Sequence, residues 1–137
     1  MAGPRDVIEK HIQAFNDRDR DADPWTADAE MVAPGATCKG RDEVLGFLGV
    51  FQEAFPDGRL AIKRTLVDGS SGAAVEGVFT GTHDGVLHTP DGDVSPSGRA
   101  VELRWAAAYE IAGQELVSEH LYFDQVEFLG QLGLLPS

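Results

Sequence analysis

Apolar side chains recur at helical spacing in two segments of the chain, residues 4–19 and 41–55. The stripe of the first segment is Val7, Ile8, His11, Ile12 and Phe15, and that of the second is Val44, Leu45, Phe47, Leu48 and Phe51. Positions three and four apart share one face of a helix, so the pattern predicts two amphipathic helices that pack on a core. A proline at position 4 suits a first helical turn, and the Pro-Asp-Gly at positions 56–58 ends the second helix.

Alternation replaces helical spacing from residue 59 onward. It predicts strands at 59–67, 73–82, 99–111 and 115–123, joined as a meander. A short helical turn at 24–26 and a short strand ending at 34–35 are predicted between the two helices. Two helices, a meander and a final short helix predict an α+β fold, in which the helices cover the concave face of a curved antiparallel sheet. Such a cone-shaped α+β barrel encloses a pocket between its two layers.

The last strand and helix meet at Asp124. Alternation places Leu116, Ser118, His120, Tyr122 and Asp124 on one strand face, and Val117, Glu119, Leu121 and Phe123 on the other. Helical spacing then resumes at Val126, Phe128, Leu129 and Leu132. Two hypotheses remain open for Asp124, because aspartate is a preferred N-cap residue and its strand face is unusually polar. It acts only as a cap, or it is a catalytic acid/base that also caps.

Composition narrows the function classes. A chain of 137 residues is expected to form one domain with a real core. Its net charge of −12 argues against binding to nucleic acids and to anionic membrane surfaces. A single cysteine, Cys38, precludes an intramolecular disulfide and favours a reducing compartment. With neither a signal peptide nor a bilayer-spanning run in the sequence, we expect a cytoplasmic protein.

Several side chains are candidates for contacting a ligand. The large apolar residues exceed what a two-layer core needs, so some are expected to line the pocket. His11 is interpreted as a buried, hydrogen-bonded core residue or as a pocket residue. His83 and His88 belong to a long loop at 82–98, predicted to be a mobile cover; they are exposed loop residues or ligand contacts. The predicted ligand-contacting set is His11, Phe15, Trp25, Phe51, His83, His88, Trp105, Tyr109 and Tyr122.

Acidic residues cluster in NDRDRDADP at positions 16–24. Alternating charges of this kind are typical of a solvated surface. The interleaved arginines argue against a metal site there, because they would repel the cation. No spacing typical of a metal site or of a nucleophile–histidine pair occurs in the sequence, so we predict no metal ligands.

Several strings carry a resemblance to a known family. They are HIQAFNDRD, VAPG, AFPDGRL, GTHDG, PSGRAVEL and LYFDQVEFLGQLGLLP, which follow one another over nearly the whole chain. On these strings the chain resembles the SnoaL-like polyketide cyclases, within the nuclear-transport-factor-two-like superfold. The resemblance implies one SnoaL-like domain over residues 1–137, a general acid/base at Asp124, no metal or organic cofactor, and an oligomeric assembly.

The sequence departs from other relatives on this superfold. Ketosteroid-isomerising relatives carry a base aspartate where this chain has Ala33, and a tyrosine where it has His11. Epoxide-opening relatives use an Asp–Arg–Asp set, of which only Arg104 and Asp124 are candidates here. Both departures weigh against those two mechanisms.

The resemblance and the residues together predict a cofactor-free enzyme of polyketide-cyclase type. The reaction is an intramolecular aldol closure of a hydrophobic, polyketide-like ketone or ester, with Asp124 as acid/base and His120 orienting it. A carboxyl group in a water-poor cavity suits this role, because burial raises its pKa toward neutrality. The alternatives are a non-catalytic binder of a small apolar ligand, and an epoxide-hydrolase-like or isomerase-like relative.

The predicted assembly is a homodimer or a higher homo-oligomer. Both long helices are used on one face of the sheet, and the other face carries valine and leucine among its charged residues. Uncovered apolar area of this kind usually marks an interface. We therefore expect a two-fold dimer through that sheet face.

Overall fold

The protein is described here by a computed structural model of residues 3–135. Both predicted long helices are present. Helix α1 spans Pro4–Asp17 and buries the predicted stripe, and helix α2 spans Arg41–Ala54. Helix α1 ends at Asp17, two residues earlier than predicted, because the next residue, Arg18, has a φ of 55° that turns the chain out of the helix. A 3₁₀ turn follows at Arg20–Ala22, and helix α3 spans Gln125–Gln131.

Six strands form the main sheet within residues 3–135. They are β1 (Trp25–Ala33), β2 (Ala36–Lys39), β3 (Arg59–Asp68), β4 (Gly72–Thr82), β7 (Ala100–Ala112) and β8 (Glu115–Phe123). Their order is β2-β1-β8-β7-β4-β3. Strands β1 and β8 pair in parallel, whereas the other neighbours are antiparallel. The predicted α+β class is confirmed, with a large curved sheet that does not close.

Some short elements differ from the predictions. Trp25, expected in a helical turn, is the first residue of β1, because it pairs with Leu116 of the last strand. The predicted loop at 82–98 contains a hairpin of β5 (Leu87–Thr89) and β6 (Gly92–Val94). None of the helices within residues 3–135 has the length and apolar character needed to cross a membrane.

Strand β7 shows how the sheet meets the core. Its buried residues alternate with exposed ones, as predicted; the buried set is Val101, Leu103, Trp105, Ala107, Tyr109 and Ile111. Helix α1 packs on β3, β4 and β8, and helix α2 packs on β1, β2 and β5. The core therefore lies between the inner face of the sheet and these two helices.

The two faces of β8 are not the ones that simple alternation predicts. In the pairing of β7 with β8, Glu110 faces Ser118 and Ile111 faces Leu116, so Val117 is an extra residue on β8. A bulge of this kind shifts every later side chain to the opposite face. Leu116 and Glu119 are both buried, whereas His120 and Tyr122 are exposed on the outer face.

Candidate functional site

A cavity of about 60 Å³ lies between the inner face of the sheet and helices α1 and α2. Its apolar lining is Phe15, Phe47, Leu48, Phe51, Leu60, Phe79, Leu103, Trp105, Leu121 and Phe123. Three polar residues complete the lining, His11, Tyr109 and Glu119. The volume is enough for a few water molecules, whereas pockets for drug-sized ligands hold about 300–1,000 Å³. A larger ligand therefore requires the half-buried phenylalanines of the lining to move.

Glu119 is the carboxyl group of this cavity. The residue is 3% exposed, and within residues 3–135 its Oε1 has no hydrogen-bond partner. Burial raises its pKa from 4.5 to about 7, because the charged form loses its hydration. The charge of His11 and the hydroxyl of Tyr109 act in the opposite direction, while the charge of Asp23 adds to the rise. Glu119 can therefore exchange a proton near neutral pH.

His11 connects Glu119 to a second buried carboxylate. Its Nδ1 lies 2.7 Å from Oδ1 of Asp23, and its Nε2 lies 3.8 Å from Oε1 of Glu119. Burial by itself lowers the pKa of His11, but the hydrogen bond and charge of Asp23, with the charge of Glu119, outweigh it and raise the pKa. Asp23, His11 and Glu119 thus form a continuous buried chain of titratable groups.

Aromatic rings surround this chain of groups. The ring of His11 meets Trp25 edge-on at a centroid distance of 5.2 Å, and Tyr109 at 6.1 Å. Burial and the neighbouring Glu119 raise the pKa of Tyr109 well above its usual value, so the hydroxyl keeps its proton. The buried Nε1 of Trp105, a cavity residue, has no acceptor in the described part of the chain. An indole N–H without a partner is available to a ligand oxygen.

Five of the predicted ligand-contacting residues line the cavity: His11, Phe15, Phe51, Trp105 and Tyr109. The other four lie elsewhere. Trp25 is buried behind His11. His83 is buried beside Phe55, with its Nδ1 2.9 Å from Oγ of Ser97. His88 is exposed between Glu53 and Asp93, and Tyr122 is exposed on the outer face of the sheet. The cavity lining includes no residue of the segment 82–98.

The predicted catalytic pair, Asp124 and His120, lies outside the cavity lining. Asp124 caps α3, because its Oδ1 accepts hydrogen bonds from the backbone N–H groups of Val126 at 2.9 Å and Glu127 at 3.2 Å. His120 is exposed, since the bulge at Val117 turns its side chain outward. The expected placement of this polar strand face against the pocket is therefore corrected. Catalytic roles for the two residues stay predictions.

Sequence reasoning missed Asp23 and Glu119. The sequence predicts a solvated acidic surface around Asp23, but this residue is 5% exposed and directed at His11. Alternation predicts Glu119 on the strand face opposite the polar one. The available signal was a single acidic residue on a strand face whose other members, Leu121 and Phe123, are apolar.

Comparison with known proteins gives the family. The family model described as SnoaL-like polyketide cyclase matches residues 5–132. Among solved structures, IdmH, a candidate polyketide cyclase from Streptomyces antibioticus, is 25% identical, with a TM-score of 0.80 over 96% of this chain and 99% of that one. A candidate SnoaL-like polyketide cyclase from Jannaschia sp. CCS1 is 18% identical, with a TM-score of 0.78 over 99% of each chain.

A third similar structure, from Catenulispora acidiphila, has a ketosteroid isomerase-like fold and was solved in complex with trimethylamine. It is 20% identical, with a TM-score of 0.77 over 98% of this chain and 96% of that one. No curated protein matches the chain significantly. The family model spans nearly the whole sequence, and the architecture agrees with it. The chain belongs to the SnoaL-like polyketide cyclase family.

Proposed function

We propose that the protein is a cofactor-free cyclase in which Glu119 is the general acid/base. Its substrate is an apolar, polyketide-like ketone or ester that closes a ring by an intramolecular aldol reaction. The observation that carries the proposal is the buried carboxyl of Glu119, whose Oε1 is unpaired within residues 3–135 and which lines a cavity that is otherwise mainly apolar.

In the proposed reaction, Glu119 takes one proton from the substrate and later returns it. The carboxylate of Glu119 removes a proton from the carbon next to a carbonyl group, and the resulting enolate attacks a second carbonyl of the same molecule. A carbon–carbon bond forms, and the second carbonyl oxygen becomes an alkoxide. The protonated Glu119 returns its proton to that alkoxide. A pKa of about 7 suits both steps, because each protonation state is populated near neutral pH.

Hydrogen-bond donors in the cavity support the same chemistry. The enolate oxygen carries negative charge, and a donor already in place stabilises it without reorganisation. The Nε1–H of Trp105, unpaired in the described structure, is one such donor, whereas the hydroxyl of Tyr109 interacts with Glu119 itself. Both residues lie on β7, and Tyr109 is paired with Glu119 across the β7–β8 register.

The role that the resemblance assigns to Asp124 moves, in this proposal, to Glu119, five residues earlier. Exposed carboxylates keep their hydration and are poor bases for carbon acids. A buried carboxylate is a stronger base, because it has lost that hydration. Asp124 is exposed and already accepts two backbone hydrogen bonds. The two assignments make opposite predictions for a pair of isosteric variants.

Proton transfer can be tested without the natural substrate. An apolar aryl ketone, 2-tetralone, is incubated with the protein in D₂O, and deuterium uptake next to its carbonyl is followed by NMR. We expect the wild-type protein to accelerate uptake and Glu119→Gln to lower that rate about 10²–10⁴-fold, the usual value of a positioned base. The matched variant Asp124→Asn should retain the wild-type rate.

Two outcomes contradict the proposal. Loss of exchange in Asp124→Asn with full exchange in Glu119→Gln would return the acid/base role to Asp124. Binding of the ketone by the wild-type protein without acceleration of exchange would favour the alternative, a non-catalytic binder. The small volume of the cavity and its aromatic lining are compatible with that alternative.

We also propose that the protein assembles as a homodimer through the outer face of the sheet. Leu66 and Tyr122 are 53% and 61% exposed on that face. A groove beside them is lined by Arg64, Leu66, Ala74, Val75, Glu76, Ala106, Ala107, Ala108 and Tyr122. A second copy of the same surface is a suitable occupant, because the lining is mainly apolar and its two charged residues, Arg64 and Glu76, have opposite signs that an isologous contact can pair.

A further inference from the structure

Behind Glu119, two buried groups have no assigned role in the reaction above. They are His11, on the inner face of α1, and Asp23, in the segment that joins the 3₁₀ turn to β1. We propose that Asp23 is a positioning residue: it holds a proton and a positive charge on His11, and that charge keeps Glu119 available as a base. The inference rests on the proposed function of Glu119.

The orientation of the imidazole ring supports this role. Oδ1 of Asp23 accepts a hydrogen bond from Nδ1 of His11 at 2.7 Å, so the hydrogen is on that nitrogen. The other nitrogen, Nε2, is then the one directed at Oε1 of Glu119, 3.8 Å away. With a second proton on Nε2, His11 carries a positive charge between two carboxylates. That charge neutralises the negative charge of one of them.

Asp23 is itself held in place from several sides. Nη2 of Arg41 donates to its backbone oxygen at 3.0 Å, and the backbone N–H of Trp25 donates to the same oxygen at 2.9 Å. The side chains of Asp23 and His11 are only 3% and 2% exposed. Trp25 also packs edge-on against the His11 ring. Neither partner of the hydrogen bond has room to turn away, so the contact is built into the fold.

The titratable groups facing Glu119 are His11 on α1, Asp23 before β1 and Tyr109 on β7. One proton shared by His11 and Glu119 has two possible positions. It is on His11, which leaves Glu119 as a carboxylate, or on Glu119, which leaves His11 neutral. Asp23 favours the first position, because its charge stabilises the imidazolium. The charge of His11 affects the pKa of Glu119 more strongly than the direct repulsion from Asp23 does.

The test uses Asp23→Asn, which keeps the side-chain size and a hydrogen-bond acceptor but removes the charge. The rate of deuterium uptake is measured as a function of pH. We expect the acidic limb of this pH profile to move by at least about one pH unit toward alkaline pH. The rate at pH 7 then falls by at least about fivefold, because the wild-type pKa is about 7, and it recovers at high pH. Asp21→Asn is the matched control, because this exposed aspartate of the same run does not line the cavity and does not act on the pKa of His11 or Glu119; its profile should be that of the wild type.

A second readout does not depend on turnover. The carboxyl carbon of Glu119, labelled with ¹³C and identified by its absence in Glu119→Gln, is titrated by NMR in the wild type and in Asp23→Asn. We expect the same alkaline displacement of its midpoint. His11→Gln, which removes the positive charge directly, should produce a displacement in the same direction and replaces Asp23→Asn if that variant does not fold.

The results separate the two proposals. A rate that falls equally at every pH, with an unmoved midpoint, would show that Asp23 is only structural and would overturn the inference. An absence of exchange in the wild-type protein would contradict the proposed function of Glu119. In that case the NMR titration midpoints of the Glu119 carboxyl alone decide whether Asp23 controls its proton. Equal midpoints in the wild type and in Asp23→Asn would overturn the inference about Asp23.

Discussion

At the scale of single residues, the buried carboxyl of Glu119 makes stability depend on pH. A rise in its pKa from 4.5 to about 7 means that between these values the folded protein holds a proton that the unfolded chain has released. The contribution of this group to the free energy of unfolding therefore falls as pH rises through that window. At about 1.4 kcal/mol per pH unit, the loss is about 3 kcal/mol. The raised pKa of His11 acts in the same direction.

Glu119→Gln should remove this dependence, because the amide cannot ionise. We expect the variant to match the wild type near pH 4.5 and to be more stable above pH 7, by up to about 3 kcal/mol. Urea unfolding at half-unit pH intervals measures the difference between the two proteins. A constant difference from pH 4.5 to pH 8 would show that the carboxyl has an ordinary pKa.

The cap of α3 gives a second prediction at this scale. Asp124→Ala removes the acceptor of two backbone hydrogen bonds and should lower the free energy of unfolding by about 1 kcal/mol. Asp124→Asn should cost much less, because asparagine caps nearly as well. Chemical denaturation of both variants checks the pair. Equal losses in the two would mean that the charge, and not the hydrogen bond, stabilises the helix.

At the scale of elements, the wall of the cavity depends on one close approach between strands. Gly77 of β4 lies opposite Trp105 of β7, and a Cβ atom at Gly77 would lie 2.5 Å from Cζ2 of Trp105 and 2.6 Å from the backbone oxygen of Ala61. The absent side chain leaves the space at Gly77 that the indole ring of Trp105 occupies. This ring carries the N–H group that we assign to the enolate oxygen.

Gly77→Ala should therefore destabilise the protein by about 1–3 kcal/mol, the usual cost of overpacking, and weaken binding of the aryl ketone. The matched control is Gly46→Ala, in the exposed middle of α2, where a Cβ atom meets nothing within 4 Å. That substitution should stabilise by about 0.5–1 kcal/mol, because alanine favours the helix. Thermal melts and ligand titration of the two variants test this; equal stability of both would contradict the packing explanation.

The elements that the sequence predicts well are those whose burial follows a single period. Helices α1 and α2 and strand β7 are of this kind, and their buried faces are confirmed. Strand β8 is not, because the extra residue Val117 reverses its faces midway. Nothing in the local pattern specifies that bulge; it arises from pairing with β7. Asp23 could not be found for a similar reason, since its burial depends on His11, twelve residues away in sequence.

At the scale of the whole molecule, a net charge of −12 opposes self-association and an exposed apolar sheet face favours it. Salt screens the repulsion between two copies but leaves apolar burial in place. We expect a homodimer at micromolar concentration in 150 mM salt, and a shift toward monomer at low ionic strength. Sedimentation velocity at several salt concentrations measures this, and a monomer at every salt concentration would contradict it.

Variants locate the contact. Tyr122→Asp places a charge in the groove of the outer face and should give a monomer, because the charge would be buried without a partner. The control is Val126→Asp, at an apolar residue of α3 that is 62% exposed and lies outside the groove. It should leave the dimer intact. Dissociation by the α3 variant alone would place the interface on α3 and not on the outer face of the sheet.

The parallel pairing of β1 with β8 has a kinetic consequence. It joins Trp25 to Leu116, about 90 residues apart, and contacts of such long range form slowly because a large loop must close first. Glu119 reaches His11 and Asp23 only when this closure is complete. We expect refolding to end in a slow phase, which tryptophan fluorescence of a Trp105→Phe variant would monitor through Trp25. The raised pKa of Glu119 should appear in that phase and not before. The proposed acid/base site therefore forms last, after most of the secondary structure has formed.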